Sequence, residues 1–303
     1  MVRLQVSEVF YTFTMKCTNS SWMYRSLNAA IVLGTGCFVL PYLRDYVLLK
    51  LQPILMRRHH KVVRDLKVKL FKFLHDYKDT HIQLNSYIRV LEIGAASGST
   101  LEDYPYHTQL VVVEPVAGFR GAFDKHLKLV NEISGQADGD QVHSKFRLPV
   151  IRLEAWYTMT AEELLNPIQA TATGSAEVSR PELVGGTFDA FISTFTLCTV
   201  RDVEKVLNNA TQLVKPDGLL ILLEHIKPPG PLWSLLCSVV QPIWGFVFGG
   251  CHLSRRPDRL LLSNPELKRC WQIIFCEEHE YGGLISMCPV RNTLGLIARR
   301  LAE

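Results

Sequence analysis

The sequence lacks the usual signs of a metal site and of a disulfide framework. Its eight cysteines form no Cys-x-x-Cys pair, and no histidine cluster lies near them at the spacing of zinc ligands. A chain of 303 residues with 48% apolar residues can bury a sizeable core without such cross-links. We therefore expect reduced, mostly buried thiols and no bound metal. The sequence also contains no internal repeat.

A broad basic surface is missing as well. The net charge is +4, yet seven Lys and Arg residues against one acid give the segment from Arg57 to Lys72 a charge of +6. The rest of the chain therefore carries −2. Binding to a nucleic-acid backbone needs an extended basic face, so we expect no DNA or RNA substrate.

Charge is absent from the 18 residues between Arg25 and Arg44, Ser26 to Leu43. A membrane-spanning helix needs about 20 apolar residues, so this segment is at the short end of the range. The basic cluster that follows favours the anionic cytoplasmic surface of a membrane. These features predict an N-terminal leader and membrane anchor over residues 1–56. They also predict a basic amphipathic helix with its connection over 57–86, showing charge to lipid headgroups. A buried core helix of a soluble protein is the alternative interpretation of the charge-free segment.

The remainder, residues 87–303, alternates between strand-like and helix-like patterns. Several strand-like runs are continuously apolar, which is typical of strands covered on both faces, and the alternation with helices indicates a mostly parallel sheet. The predicted strands are residues 87–93, 109–114, 148–154, 188–194, 219–225, 271–277 and 293–299, and the predicted helices are 61–74, 116–133, 160–165 and 201–214.

Two segments interrupt this alternation. Residues 165–186 are small, polar and turn-rich, which predicts a surface loop insertion. Residues 228–251 carry no charge and include Trp233, Trp244 and Phe248. Their length would suit a second membrane helix, but the prolines and glycines among them favour an apolar cap over the carboxyl ends of the strands.

The first predicted strand ends in a glycine-containing turn, within the sequence VLEIGAASGST. Gly94 and Gly98 allow a tight turn and the close approach of a ligand, whereas Ala96 stands where a third glycine is possible. Ser99 and Glu102 have the spacing of a capping box, which predicts a helix directly after the turn. In an open parallel sheet, such a turn is where a ligand meets backbone amides.

Two carboxylates narrow the choice of ligand. Glu92 ends the first strand two residues before Gly94, and Glu114 ends the second strand. An acid at the end of the second strand suits a ribose diol. An acid at the end of the first strand would repel a pyrophosphate but suits a positively charged amino-acid group. S-adenosylmethionine combines an ammonium, a sulfonium and a ribose, and is therefore the expected cofactor. The structural alternative is that both acids are solvated strand ends.

Several motifs carry a resemblance to a known family. VLEIGAASG, VVVEP, FDAFISTFTLCTV and LVKPDGLLILLEH resemble the motifs of class I methyltransferases. QPIWGFVFGGCHLSR and NTLGLIAR are similar to segments of membrane-anchored, methyltransferase-like enzymes that methylate small-molecule thiols. The similarity runs from about residue 88 to the C-terminus. It implies an α/β, Rossmann-like class I methyltransferase fold, with a mostly parallel seven-stranded sheet, helices on both faces and an N-terminal anchor helix.

The resemblance also implies a location and partners. Its members sit on the endoplasmic reticulum or on lipid droplets, with the catalytic domain in the cytosol. A mitochondrial membrane is the alternative, because Glu8 is the one acid before Arg25. The implied substrate is small and lipophilic, with a thiol as the first choice of acceptor. We expect a monomer.

Site residues follow from the same resemblance. Glu92, Gly94, Ala95 and Gly98 are implied for the methionine end of the cofactor, Glu114 and Pro115 for the ribose and adenosine, Glu154 and Ala155 for the adenine, and Thr194 and Phe195 for the surroundings of the methyl group. An apolar substrate pocket is implied for Thr196, Trp233, Trp244 and Phe248.

Methyl transfer needs alignment and exclusion of water more than covalent help, because the sulfonium is already activated. A free thiol has a pKa of about 8.5, so a group that stabilises its thiolate raises the reactive fraction. His225 at the end of the fifth strand is the first candidate for this catalytic role, and His252 is the second.

Two other functions stay open at this stage. One is O- or C-methylation of a lipid or quinone, which an apolar cap would accept equally well. The other is a non-catalytic membrane or lipid-droplet scaffold that retains the fold. Ala96 and the segment KPDGLL, where the family tends to have two adjacent glycines, are departures that keep the scaffold open.

Overall fold

The computed structural model describes residues 52–136, 149–165, 180–281 and 290–302, together with Tyr46 and Lys50. The predicted anchor at 26–43 and most of the predicted insertion, residues 166–179, lie outside the described residues. By its internal contacts the chain divides into Met1–Val47 and Leu48–Glu303, and the second unit contains the whole sheet.

The described elements agree closely with the predicted alternation. The strands are β1 (Ile88–Ile93), β2 (Thr108–Val113), β3 (Ile151–Tyr157), β4 (Phe188–Thr194), β5 (Val214–His225), β6 (Trp271–Glu280) and β7 (Asn292–Arg300). The α-helices are α1 (Gln52–Val62), α2 (Arg64–His81), α3 (Arg120–Gln136), α4 (Val203–Leu213), α5 (Pro231–Val247), α6 (Pro257–Ser263) and α7 (Pro265–Cys270).

The strands form one sheet in the order β3-β2-β1-β4-β5-β7-β6. The pairs β1–β2, β1–β4, β2–β3 and β4–β5 are parallel, whereas β7 runs antiparallel to β5 and β6. Val90 and Leu91 point into different apolar clusters, so both faces of the sheet are buried. The predicted mostly parallel, seven-stranded sheet is confirmed. Its winding reverses between β1 and β4, which is where open α/β sheets bind ligands.

The segment after β1 contradicts the predicted helix. One short 3-10 turn, Leu101–Asp103, stands where the capping box predicts a helix. The hydroxyl groups of Thr100 and Tyr104 both donate to the buried carboxylate of Glu92, which fixes the chain in another path. Pro105 follows directly and disfavours a helical conformation of Tyr104.

The third strand begins and ends three residues later than predicted. It spans Ile151–Tyr157, so Glu154 and Ala155 lie inside the strand rather than after it. The Glu154 carboxylate accepts two hydrogen bonds of 2.8 Å from the guanidinium of Arg89, and Ala155 pairs with Val111 of β2. The predicted end of the strand at residue 154 was therefore wrong, whereas the role of Glu154 and Ala155 toward an adenine stays a prediction.

Helix α2 is tied to the sheet on one side and to the glycine turn on the other. Leu66 fills the space above Gly295 of β7, where an added Cβ would come within 2.6 Å of Leu66 Cδ1. Lys67 belongs to the cluster expected to face lipid headgroups, but it is buried. Its ammonium donates to the carbonyl oxygen of Ser99 at 3.0 Å and forms an ion pair with Asp103.

The apolar segment after β5 folds into helix α5, which contains Pro242. Its outer face exposes apolar side chains at helical spacing: Leu232, Leu235, Leu236, Val239, Ile243 and Phe246. Within the part of the chain that the structure describes, no helix is long and apolar enough to cross a bilayer.

Candidate active site

The turn after β1 uses backbone conformations that favour glycine. Gly94, Ala96 and Gly98 have positive φ angles of 66°, 45° and 80°. A Cβ at position 94 would lie 2.0 Å from Thr196 Oγ1, so glycine is required there. At Ala96 the left-handed conformation costs an L-residue about 1–2 kcal/mol. The Ala96 amide donates to Glu114 Oε2 at 3.0 Å, and this bond offsets part of that cost.

The second departure from the family's glycines also lies in left-handed backbone. Asp217 has a φ of 64°, a conformation that Asp adopts more readily than most residues. It lies in the bulge where the pairing of β4 with β5 shifts register. The fold accommodates both departures.

Glu92 is buried at the carboxyl end of β1. Its Oε1 accepts a hydrogen bond of 2.7 Å from the Thr100 hydroxyl, and its Oε2 accepts one of 2.8 Å from the Tyr104 hydroxyl. Burial raises the pKa of the Glu92 carboxyl, and the bonds from Thr100 and Tyr104 oppose the shift. Glu92 therefore holds the turn against β1, and its contact with the cofactor stays a prediction.

Glu114 follows β2 and points at the turn, with 4% of its surface exposed. Its two oxygens accept the backbone N–H groups of Ala96 and Val116, at 3.0 and 2.9 Å. Burial raises the pKa of Glu114, and these two amides oppose that shift. Because each carboxylate oxygen offers about two acceptor positions, one on each oxygen is left for a ribose hydroxyl. The turn and this carboxylate thus fit an adenosine cofactor with an amino-acid end.

The loop after β4 is held by Glu224, a buried residue near the end of β5. Glu224 Oε1 accepts the backbone N–H groups of Thr196 and Leu197, each at 3.1 Å. Its Oε2 is buried with no hydrogen-bond partner among the described residues. Phe195 in this loop has a φ of 53°, and its ring stacks on that of His225 with 6.1 Å between centroids.

A cluster of sulfur and nitrogen donors lies beside this loop. One donor atom each from Cys198, His225 and Cys251 lies within 4.8 Å of the others. His225 Nε2 is 3.0 Å from Cys251 Sγ, and the indole N–H of Trp244 donates to the same sulfur at 3.2 Å. We name Cys198, His225 and Cys251 the Cys-His cluster. They come from the β4 loop, the end of β5 and the segment after α5, respectively.

The Cys-His cluster favours negative charge on sulfur. Contact with the Cys198 thiol, and next with His225, lowers the pKa of Cys251 to about 4. Burial works to lower the pKa of His225, but the Cys251 thiolate and the Glu224 carboxylate act against burial, and the net shift is upward. The arrangement therefore stabilises a thiolate at this edge of the sheet.

Helix α1 covers the β4 loop from another side. The ring centroids of His59 and His60 lie 4.7 and 5.4 Å from that of Phe195, both edge-on. His60 Nε2 lies 2.9 Å from the hydroxyl oxygen of Ser99 in the glycine turn. Burial lowers the pKa of His59 to about 4 and that of His60 to about 3, so both rings are neutral at pH 7.

Most of the predicted site residues meet at this edge of the sheet. The structure brings together Glu92, Gly94, Ala95, Gly98, Glu114, Thr194, Phe195, Thr196, His225, Trp244 and Phe248, whereas Pro115, directly after Glu114, is exposed. Their roles toward cofactor and substrate stay predictions.

Other predicted residues have different surroundings. The ring of Trp233 packs under the guanidinium of Arg291, 4.6 Å away, rather than on another aromatic ring of α5. His252 is exposed, and its backbone N–H donates to the Cys198 carbonyl oxygen at 2.7 Å. The catalytic role of the His252 ring stays a prediction.

Sequence reasoning missed the residues that hold the site together. The donors to Glu92 were detectable in principle, because a buried carboxylate needs partners and hydroxyl side chains follow it at positions 100 and 104. The Cys-His cluster was not detectable, because its members lie 27 and 26 residues apart without a ligand motif.

We predict opposite outcomes for two substitutions in the turn. Gly94→Ala should lower the affinity for S-adenosylmethionine more than about tenfold, since its Cβ collides with Thr196 and its φ is left-handed. Ala96→Gly should change the dissociation constant less than about threefold, because relief of strain and the added chain entropy nearly cancel. Calorimetric titration measures both. A large gain in affinity for Ala96→Gly would show that the natural turn is compromised.

A second prediction concerns the carboxylate at the end of β2. Glu114→Gln should weaken cofactor binding about 10- to 100-fold, because it replaces a charged acceptor of ribose hydroxyls. Glu102→Gln is the matched control, since Glu102 is a nearby exposed acid. Calorimetry gives the affinity and thermal unfolding reports the integrity of the turn. An unchanged dissociation constant for Glu114→Gln would contradict the ribose role.

Proteins similar to this chain are methyltransferases. The thiol S-methyltransferase TMT1B of Rattus norvegicus is 24% identical over 206 residues, which cover 68% of this chain and 69% of the relative. The thiol S-methyltransferase TMT1A of Homo sapiens is 20% identical over 226 residues, which cover 71% and 76%. A solved carbon methyltransferase, CurJ, aligns with a TM-score of 0.49 and 15% identity over 80% of this chain, and the chain spans 55% of that structure.

A family model described as a methyltransferase domain matches residues 58–261. The matched segment contains the glycine turn, Glu114, the β4 loop and all three members of the Cys-His cluster. The chain therefore belongs to this family of methyltransferase domains, and its cofactor is S-adenosylmethionine.

Proposed function

We propose that this methyltransferase methylates the sulfur of small lipophilic thiols and does so at a lipid surface. The names of the relatives TMT1B and TMT1A support a thiol as the acceptor. The observation that carries the proposal is the contact between His225 Nε2 and Cys251 Sγ. It means that a sulfur atom is already bound by an imidazole next to the β4 loop. Glu224 fixes that loop by accepting the N–H of Thr196. The same carboxylate therefore positions the loop between the proposed acceptor site and the methyl donor.

The cofactor supplies an already activated methyl group on a sulfonium. The chain's own residues have to hold the cofactor, align the acceptor and exclude water. Glu114 and the glycine turn hold the cofactor, and α1 covers the loop with neutral histidine rings. Trp244 and Phe248, with ring centroids 4.3 Å apart, supply an apolar wall next to the sulfur.

An acceptor thiol has to lose its proton to become a good nucleophile. The surroundings of Cys251 support a site that favours that loss. One imidazole nitrogen and one indole N–H approach a single sulfur at 3.0 and 3.2 Å. The same donors suit a small aliphatic thiolate better than an alcohol, whose pKa is much higher.

The outer face of α5 supports the proposal that the protein binds to a lipid surface. No Lys, Arg, Asp or Glu occurs from Pro228 to Cys251, and six apolar side chains of the helix are 40% exposed or more. A contiguous apolar face of this kind marks an interaction surface. A helix lying in the plane of the headgroups buries such a face without crossing the bilayer. The cytosolic side of the endoplasmic reticulum or a lipid droplet is the proposed location.

The acceptor is tested with pairs of compounds that differ in one atom. The full chain with S-adenosylmethionine should convert an aliphatic thiol to its methyl thioether, and should leave the alcohol of the same carbon skeleton at background. Mass spectrometry detects the thioether and S-adenosylhomocysteine. Methylation of the alcohol at a similar rate would point to O-methylation, and cofactor binding without turnover of any thiol would point to the scaffold.

Binding to a lipid surface is tested on the compact unit Leu48–Glu303, which lacks the charge-free segment 26–43 of the predicted anchor. This unit should float with vesicles of phosphatidylcholine and phosphatidylserine. Leu235→Glu with Ile243→Glu should reduce the bound fraction about tenfold or more, because each side chain contributes roughly 1.5–3 kcal/mol on full burial. Leu262→Glu is the control, since Leu262 is an exposed leucine of α6. Equal binding by both variants, or loss of a dimer instead, would contradict the proposal.

A further inference from the structure

We propose that Cys198, His225 and Cys251 bind one Zn²⁺ ion whose fourth coordination position takes the sulfur of the acceptor thiol. The inference rests on the proposed thiol acceptor, and it adds the means by which that thiol is held and activated. Its starting point is the geometry of the Cys-His cluster, whose three donor atoms all lie within 4.8 Å of one another.

The donor set matches the chemistry of zinc. Zn²⁺ is bound by thiolate and imidazole, with Zn–S near 2.3 Å and Zn–N near 2.0–2.1 Å. In a tetrahedral site these lengths put two ligand atoms about 3.5–3.8 Å apart. The 3.0 Å between His225 Nε2 and Cys251 Sγ has to widen by about half an ångström. Two thiolates with one imidazole favour zinc over the oxygen-binding cations Mg²⁺ and Ca²⁺.

The surroundings of the cluster hold its members in place, as the outer shell of a metal site does. The indole N–H of Trp244 donates to Cys251 Sγ at 3.2 Å. The side chain of Gln241 donates to the Cys251 carbonyl oxygen at 2.9 Å and accepts the N–H of Leu253 at 2.8 Å. Both cysteines are buried, with 2% and 4% of their surface exposed, whereas His225 is half-buried.

The number of ligands indicates a reactive site rather than a structural one. Structural zinc sites have four protein ligands, whereas catalytic sites have three and leave a position for water or substrate. Among the described residues, no fourth Cys, His, Asp or Glu atom joins this cluster. Its location agrees, because Cys198 lies three residues after Phe195, in the loop at the methyl-donor side of β4.

Arg255 can balance the charge of a third thiolate. Two protein thiolates neutralise the ion, and a bound acceptor thiolate adds one negative charge. The guanidinium of Arg255 interacts with both cysteines and its Nη1 donates to the Leu197 carbonyl oxygen, so a positive group stands ready to offset that charge. The thiol proton leaves to solvent when the acceptor sulfur binds. A lone pair of that sulfur then forms the bond to the methyl carbon while the sulfonium–methyl bond breaks, giving a thioether and S-adenosylhomocysteine.

The experiment begins with metal content, which is independent of activity. The full chain, purified under reducing conditions without chelators, should contain about one zinc per molecule, as measured by inductively coupled plasma mass spectrometry. Cys251→Ser and His225→Asn should each lower this content at least about fivefold, and Cys276→Ser, at an exposed cysteine, should not. Should these variants fail to fold, removal of zinc from the wild-type chain by a chelator, followed by its return, measures the same stoichiometry.

Cobalt then reports on the open position. Co²⁺ in place of zinc should give a thiolate charge-transfer band and intense visible bands of tetrahedral geometry. An aliphatic thiol should shift those bands, and the matched alcohol should not. A chain that binds neither metal, or that holds Cys198 and Cys251 as a disulfide, overturns the proposal even if thiols are methylated. A metal-loaded chain whose spectrum ignores thiols overturns the assignment of the open position, and the thioether assay separately decides the proposed function.

Discussion

The structure depends on buried carboxylates at the carboxyl ends of its central strands. Parallel strands end with backbone groups and loops that need hydrogen-bond partners, and a buried acid is costly unless several donors reach it. Glu92 accepts hydrogen bonds from three hydroxyl groups, Glu114 accepts them from two amides, and Glu224 accepts them from the amides of the β4 loop. Each acid thus fixes one of the three loops from which the site is built.

Local sequence patterns predict the sheet and the cofactor turn, but not the contacts that these acids make. The alternation of apolar strands and helices predicts the sheet, because the pattern depends on burial within each segment. Glycines and strand-end acids predict where the cofactor lies, since their positions follow from local chain geometry. The error in β3 arose because Leu148 and Pro149 continue the apolar pattern of the strand, while pairing with β2 begins at Ile151. The missing helix after β1 arose from contacts with Glu92, which a local motif does not contain.

The Cys-His cluster shows a different limit. Its members come from three segments that meet only because β4 and β5 are neighbours and α5 returns the chain to the end of β5. No spacing rule connects residues that tertiary structure alone brings together. Helix α5 accordingly has two roles: its inner side supplies Trp244 and Gln241 to the cluster, and its outer side is apolar and exposed. Under the proposed function, a lipophilic acceptor dissolved in a membrane would meet the protein at the same helix that borders the Cys-His cluster.

Gly295 carries a consequence for positions far from the chemistry. It lies on β7, yet the absence of its side chain lets Leu66 seat helix α2 against the sheet, and the next residue, Lys67, grips the glycine turn at Ser99. Helix α2 therefore connects the sheet to the glycine turn, through Leu66 on one side and Lys67 on the other. A methyl group at position 295 would collide with Leu66, so we expect it to displace α2 and, through Lys67, to disturb a turn on a different strand.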